Sequence, residues 1–211
     1  MKPLVMVGGG PGSLPRIIIE AVEAQGRALA GYLDVGEDPQ PLMHPRPRLG
    51  DVRLLDEPAF RAAHDFAVAV QGPQRRAICL KLLEAVASLP PILHPAATVS
   101  ATATLGAGTV VSAGVVVQQD ARIGRFCMLN TSCSIDHDNL VGDFVSVSPG
   151  VRTAGSAQIG DEAFVGLGAL IIGGVKVGRR ATVGAGAVVI RDVPEGVTVV
   201  GNPARPLPPK D

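Results

Sequence analysis

The segment Ser134-Ile135-Asp136-His137-Asp138-Asn139 sets one imidazole between two carboxylates, in a stretch after His94 that holds no other histidine. A histidine exchanges protons near neutral pH, and an adjacent carboxylate such as Asp138 can orient or polarise its ring. That pair suits general-base work on an amine or a hydroxyl. A solvated histidine on a surface turn would carry the same local sequence, so the elements around it have to decide. Asn139 leans toward function, because it stands in a series whose other members are Ala, Thr, Val or Cys.

That series belongs to a six-residue repeat. Stepping by six from Val99 to Val189 gives sixteen positions, of which fifteen are aliphatic and one is Thr153. Two residues before each lies the small series that includes Cys127, Cys133 and Asn139. Gly follows the aliphatic residue at 106, 124, 142, 160, 166, 178 and 184, with Asn130 and Asp136 at two other such places, types that tolerate positive φ at a corner. A helix needs a 3.6-residue period and rejects this much glycine, and a flat strand alternates every two. Six-residue sides ending in corners predict a parallel β-helix over residues 91–211, with about five coils of eighteen residues between 97 and 192. His137, two positions past interior Ile135, points outward, with Gln119 one coil below and Gly155 one coil above to leave it room.

Residues 1–90 follow other periods. "PLVMVGGGPGS" is an apolar strand entering a glycine turn, and "LPRIIIEAVEAQG" has a helical apolar face ending at Gly26. "ALAGYLD" and "DFAVAVQG" are further strands, the latter followed by a helix from about Pro73 to Ala87. This predicts a small parallel, Rossmann-like α/β domain, joined to the β-helix by the proline-bearing stretch near residue 90. The segment from Gly36 to Asp51 is proline-rich and reads as a surface loop. Gly8, Gly10 and Gly12 form a loop whose backbone can approach a pyrophosphate at a helix start, and Asp34 after the second strand is placed for nucleoside hydroxyls. A plain tight turn accounts for the same glycines.

Composition narrows the partners. Nineteen basic and nineteen acidic residues cancel, with no cationic run, which argues against nucleic acid or an anionic membrane. No apolar run suits a signal peptide or a membrane span, so a soluble cytoplasmic protein is expected. Cys79, Cys127 and Cys133 lack CxxC spacing, which disfavours a disulfide framework or a zinc site and makes them core residues. Aromatic residues are only 3%, so the interior must be aliphatic and narrow.

The repeat, the segment "MLNTSCSIDHDNLVGDFVSVSPGVRTAG" and the ending "GAGAVVIRDVPEGVTVVGNPARPL" resemble the hexapeptide-repeat acyltransferases, in their sialic-acid O-acetyltransferase-like, nucleotide-sugar N-acetyltransferase branch. The likeness spans nearly the whole chain. It implies a left-handed β-helix, a homotrimer, and acetyl-CoA bound between β-helices of adjacent subunits. It implies further that the α/β domain binds a nucleotide-linked amino sugar, in bacterial glycan or lipopolysaccharide-type biosynthesis. His137 would be the general base, Asp138 its partner and Asn130 a positioning group, with acetyl-CoA against Gly155, Leu167, Gly173 and Ala185 and no metal required. Glycine and small residues at such corners also serve stacking alone.

Two departures bear on this. Where the family often has a second histidine, nine residues past the first, this chain has Ser146, and the N-terminal glycine loop lacks the family's His-Gly. An O-acetyltransferase of a sugar and a catalytically silent trimeric binding protein are the alternatives. A zinc hydratase of the gamma carbonic anhydrase type would need about three converging imidazoles, whereas His94 and His137 alone lie in or near the repeats.

Overall fold

Short apolar runs alternating with helix-period segments fold, in the computed structural model, into a parallel sheet of four strands: β1 (Leu4–Val7), β2 (Leu29–Asp34), β3 (Arg48–Asp51) and β4 (Asp65–Val68), in the order β3-β2-β1-β4. The structure describes residues 2–9, 12–35, 46–70, 72, 74–85 and 87–208, and the chain divides into two compact units between Pro95 and Ala96. In the first unit every residue of β1 is fully buried, as a strand covered on both faces requires. Helix α1 (Ser13–Ala24) buries Leu14, Ile18 and Val22 at four-residue spacing, and Gly26, at φ 65°, ends it in the left-handed conformation that costs glycine least. Helices α2 (Pro58–Ala63) and α3 (Arg75–Glu84) complete the unit.

The proline-rich stretch departs from its expected form at its C-terminal end. Arg48–Asp51 is a strand, pairing Tyr32 with Arg48 and Asp34 with Asp51. Its charged residues and glycine hide the strand pattern, and an ion pair from Arg48 to Asp34 joins it to β2. Residues 36–45 lie outside the described residues.

From Thr98 onward the hexapeptides wind as expected into a left-handed β-helix of three parallel sheets. Successive rungs of one sheet are eighteen residues apart, as Thr98, Val116, Ser134 and Arg152 show. The second sheet runs through Thr104, Arg122, Leu140, Gln158 and Lys176. The third runs through Val110, Met128, Ser146, Phe164, Thr182 and Thr198, and Arg205–Pro206 folds back antiparallel beside the strand Thr198–Val200. Both interior series point inward: Leu129, Ile135, Cys127 and Cys133 are fully buried, and each large aliphatic side chain so placed contributes about 1.5–3 kcal/mol. All three cysteines are free; burial pushes the Cys79 thiol up to about 11 and that of Cys133 up to about 12, so neither is a nucleophile at neutral pH.

The corners correct one expectation. Positive φ falls two residues beyond the residue that follows the aliphatic, at Gly108, Asp120, Phe126, Ser132 and Asp138 among others. Asn130 and Asp136 instead accept hydrogen bonds from the next main-chain N–H, at Thr131 and His137, each at 2.8 Å. The glycines serve stacking: a Cβ on Gly124 would lie 2.5 Å from the carbonyl of Gly142 and 2.7 Å from the nitrogen of Asp143. Gly124→Ala therefore overpacks a stacked backbone and is expected to destabilise by about 1–3 kcal/mol, read by thermal or chemical denaturation.

Candidate active site

His137 sits on the corner after the first sheet, with both it and Asp138 more than half exposed. The αL conformation of Asp138 (φ 57°) turns its carboxylate back, so that Oδ2 lies 2.7 Å from His137 Nδ1. With Nδ1–H donated to that carboxylate, the Nε2 lone pair is the basic site. The corner is held from both sides: Asp138 N–H donates to Gln119 O at 3.0 Å, and His137 O accepts from Ser156 N–H at 2.9 Å. Gly155, one coil above, supplies the space the ring needs, since a Cβ there would lie 2.4 Å from Cε1 and 2.5 Å from Nε2.

The hydrogen bond that His137 donates to Asp138 raises the His137 pKa above its ordinary 6.5, against the opposing effect of desolvation and with smaller contributions from the charges of Asp136 and Asp138. The sign matters, because below the raised value the imidazolium dominates and the base is lost. An NMR titration of His137 is expected to give a midpoint above 6.5, and Asp138→Asn to bring it down. A midpoint unmoved by that substitution would mean the carboxylate does not hold the ring in solution.

The other expected site residues occupy distinct corners within one chain. Gly155 and Gly173 stack on the His137 corner, the Gly173 Cβ position being 3.1 Å from Gly155 O. Asn130, Leu167 and Ala185 lie on the corner at the other edge of the first sheet; Leu167 is 58% exposed, and its carbonyl accepts from Gly186 N–H at 2.7 Å. Asn130 Oδ1 caps its own turn through Thr131. Ser146 is on the third sheet, between Met128 and Phe164.

In the first unit, Gly8 (φ 93°) ends β1 and donates its N–H to Leu33 O at 2.8 Å; any Cβ there would meet Val70 Cγ2 at 2.6 Å. Gly12 precedes α1 as its cap residue, and Gly10 lies outside the described residues. Asp34 is buried and bound to Arg48, beside an open cavity of about 720 Å³ that Asp51, Arg53 and Gln74 also line. Sequence reasoning missed Arg48, Asp51 and Arg53 because they lie at the end of a stretch dominated by proline. Among the described residues no group of three or more His, Cys, Asp or Glu could hold a metal, and no helix is long and apolar enough to cross a membrane.

A prism of stacked hexapeptides with an imidazole–carboxylate pair on an outer corner defines the class to which the chain is compared. Residues 157–191 match the family described as hexapeptide repeat of succinyl-transferase. The acetyltransferase domain of PglB from Neisseria gonorrhoeae is 35% identical, with a TM-score of 0.88 over 98% of this chain and 100% of its own. GDP-perosamine N-acetyltransferase from Caulobacter crescentus, solved as a histidine-to-alanine variant with CoA and GDP-perosamine, is 31% identical, with a TM-score of 0.90 over 99% of this chain and 98% of its own. WeeI from Acinetobacter baumannii is 25% identical, with a TM-score of 0.82 over 97% and 99%. No curated protein sequence matches the chain. The chain belongs to the hexapeptide-repeat, left-handed β-helix acyltransferases, the family of the PglB acetyltransferase domain and of GDP-perosamine N-acetyltransferase.

Proposed function

We propose that this acyltransferase moves an acetyl group from acetyl-CoA to the amino group of a nucleotide-linked amino sugar, with His137 as general base. The observation that carries the reading is the His137–Asp138 pair, at 2.7 Å, with Nε2 left as the basic nitrogen over Gly155. The related N-acetyltransferase holds CoA and GDP-perosamine, and the PglB domain is also known with acetyl coenzyme A, which supports the same co-substrate and acceptor class here.

A thioester is already activated, so the protein has to place the amine, remove its proton and stabilise one oxyanion, for which main-chain N–H groups at the corners serve. His137 Nε2 takes the proton that the acceptor nitrogen sheds as it bonds to the acyl carbon, and returns it to the departing thiolate. Asp138 stabilises the imidazolium in between. The cavity beside Asp34, with Arg48 and Arg53, offers cations to phosphates and carboxylates to ribose hydroxyls, and the Gly8–Gly12 loop precedes a helix start suited to a pyrophosphate. The first domain is thus the nucleotide-sugar-binding part, residues 1–90, and residues 91–211 are the transferase part.

The protein works as a cytoplasmic homotrimer in this reading. A donor lying between two β-helices meets Gly155 and Gly173 on one subunit and Leu167 and Ala185 on its neighbour, which accounts for their separation on a single chain. Phe164, Leu167, Leu170 and Ile172, all more than 40% exposed, give the second copy an apolar surface to cover. Thiol release from acetyl-CoA across UDP-, GDP- and dTDP-linked amino sugars tests the proposal. One responsive nucleotide sugar is the expected result. A response confined to hydroxyl acceptors would make it an O-acetyltransferase, and no transfer to any acceptor would end the reading.

A further inference from the structure

Each interior series of the β-helix has one member that breaks its type, and both contact the same corner. Thr153 is the sole non-aliphatic residue among the sixteen large positions, and Asn139 the sole amide among the small ones. Elsewhere on this edge the residue after the aliphatic donates its N–H to a main-chain carbonyl one coil above: Gln118 to Ile135 O and Ala154 to Ile171 O, both at 2.9 Å. Asp136 donates instead to the Thr153 side chain, Oγ1 at 3.1 Å, and that hydroxyl donates to Ser134 O at 3.3 Å. Asn139 Nδ2 lies under the same turn and donates to Asp136 O at 2.9 Å, His137 O at 3.2 Å and Ala154 O at 2.9 Å.

The amide therefore holds both peptide planes that flank the Cα of His137, through Asp136 O and His137 O, and the hydroxyl holds the plane before them, through Asp136 N–H; together they set the direction in which the His137 side chain leaves the prism. Asn139 also ties that turn to the corner above it, which carries Gly155. A residue kept for the prism alone would be apolar here, as at every other coil. Asn139 is fully buried and its Oδ1 has no hydrogen-bond partner among the described residues, an arrangement that costs stability.

We propose that Asn139 and Thr153 are positioning residues for His137, retained to aim the imidazole at the expense of prism stability. The inference rests on His137 being the general base. Asn139→Ala and Thr153→Val each restore the residue type of the neighbouring coils, so the fold has a ready precedent for both. Each variant is expected to melt at or above the wild-type temperature where Asn139 is replaced, and near it where Thr153 is, while kcat falls about tenfold to a hundredfold with KM for acetyl-CoA little changed, the size of loss that a misplacement of about 1 Å brings. Thr153→Ser keeps the hydroxyl and is expected to keep the rate. Thr109→Val serves as control, because Thr109 makes the equivalent interior bonds, to Gly124 O and from Cys127 N–H, at another corner; its kcat is expected to match wild type.

His137→Ala, assayed alongside, separates the two ideas. If that variant turns over at the wild-type rate, the base assignment falls and the positioning role with it. If it is inactive while Asn139→Ala and Thr153→Val retain full kcat, the positioning role alone is overturned. Loss of thermal stability with unchanged kcat in the surviving fold would likewise overturn it, by showing the polar pair to be structural.

Discussion

Replacing His137 with alanine is expected to lower kcat by roughly 10²-fold to 10⁴-fold, the usual worth of a positioned general base, while acetyl-CoA binds as before. The ring is exposed, and it meets the rest of the chain through Asp138 and the space over Gly155, so its removal leaves the prism interior untouched. The wild-type profile of kcat/KM should show an acid limb centred above 6.5, because the carboxylate that orients the ring also favours its protonated form. Asp138→Asn should shift this limb to lower pH and also lower the plateau, since the freed ring loses its orientation. A His137→Ala variant with unchanged kcat would dismiss the base. An acid limb that stays in place in Asp138→Asn would assign it to another group.

Gly155→Ala is expected to be nearly as damaging, at about 10²-fold in kcat, although it removes no reacting group. Its Cβ would lie 2.4–2.5 Å from the imidazole, and the exposed ring, being softer than the stacked backbone, is what yields. The backbone itself tolerates the change: Ala101, Gln119 and Arg191 occupy the same column in other coils. Stability should stay within about 0.5 kcal/mol, as for most surface substitutions. Kinetics and a melting curve on one preparation check both halves, and a fully active Gly155→Ala would show that the ring works from a different rotamer.

The sequence announced the β-helix through period and burial together, since nothing but a six-residue side places Ile135 and Cys133 inside and His137 outside in every coil. The role of the corner glycines was less legible. Glycine at 124 signals either positive φ or close approach, and the sequence contains no reference to the next coil's backbone until the fold brings Gly142 over the missing side chain. Strand β3 was hidden for another reason: Arg48 and Asp51 are chosen for ion pairs and not for burial, so no apolar alternation marks it. At the site, His137 and Asp138 stood out because they are neighbours in sequence. Thr153 showed only as a break in the aliphatic series, because its partner Asp136 is seventeen residues away and meets it only across a coil.

The stacking of His137 under Gly155 also gives the chain a phase. Everything beyond the imidazole is in step with it only if the intervening length stays at eighteen residues, the spacing of the rungs. Six residues inserted between them would leave every hexapeptide intact, with interior side chains still inside, yet bring Pro149 over the ring in place of Gly155. A full coil added farther along would be silent in phase, because each coil touches only its neighbours. Length changes in this half of the molecule are therefore quantised: the core tolerates steps of six, whereas the His137 corner accepts only whole turns.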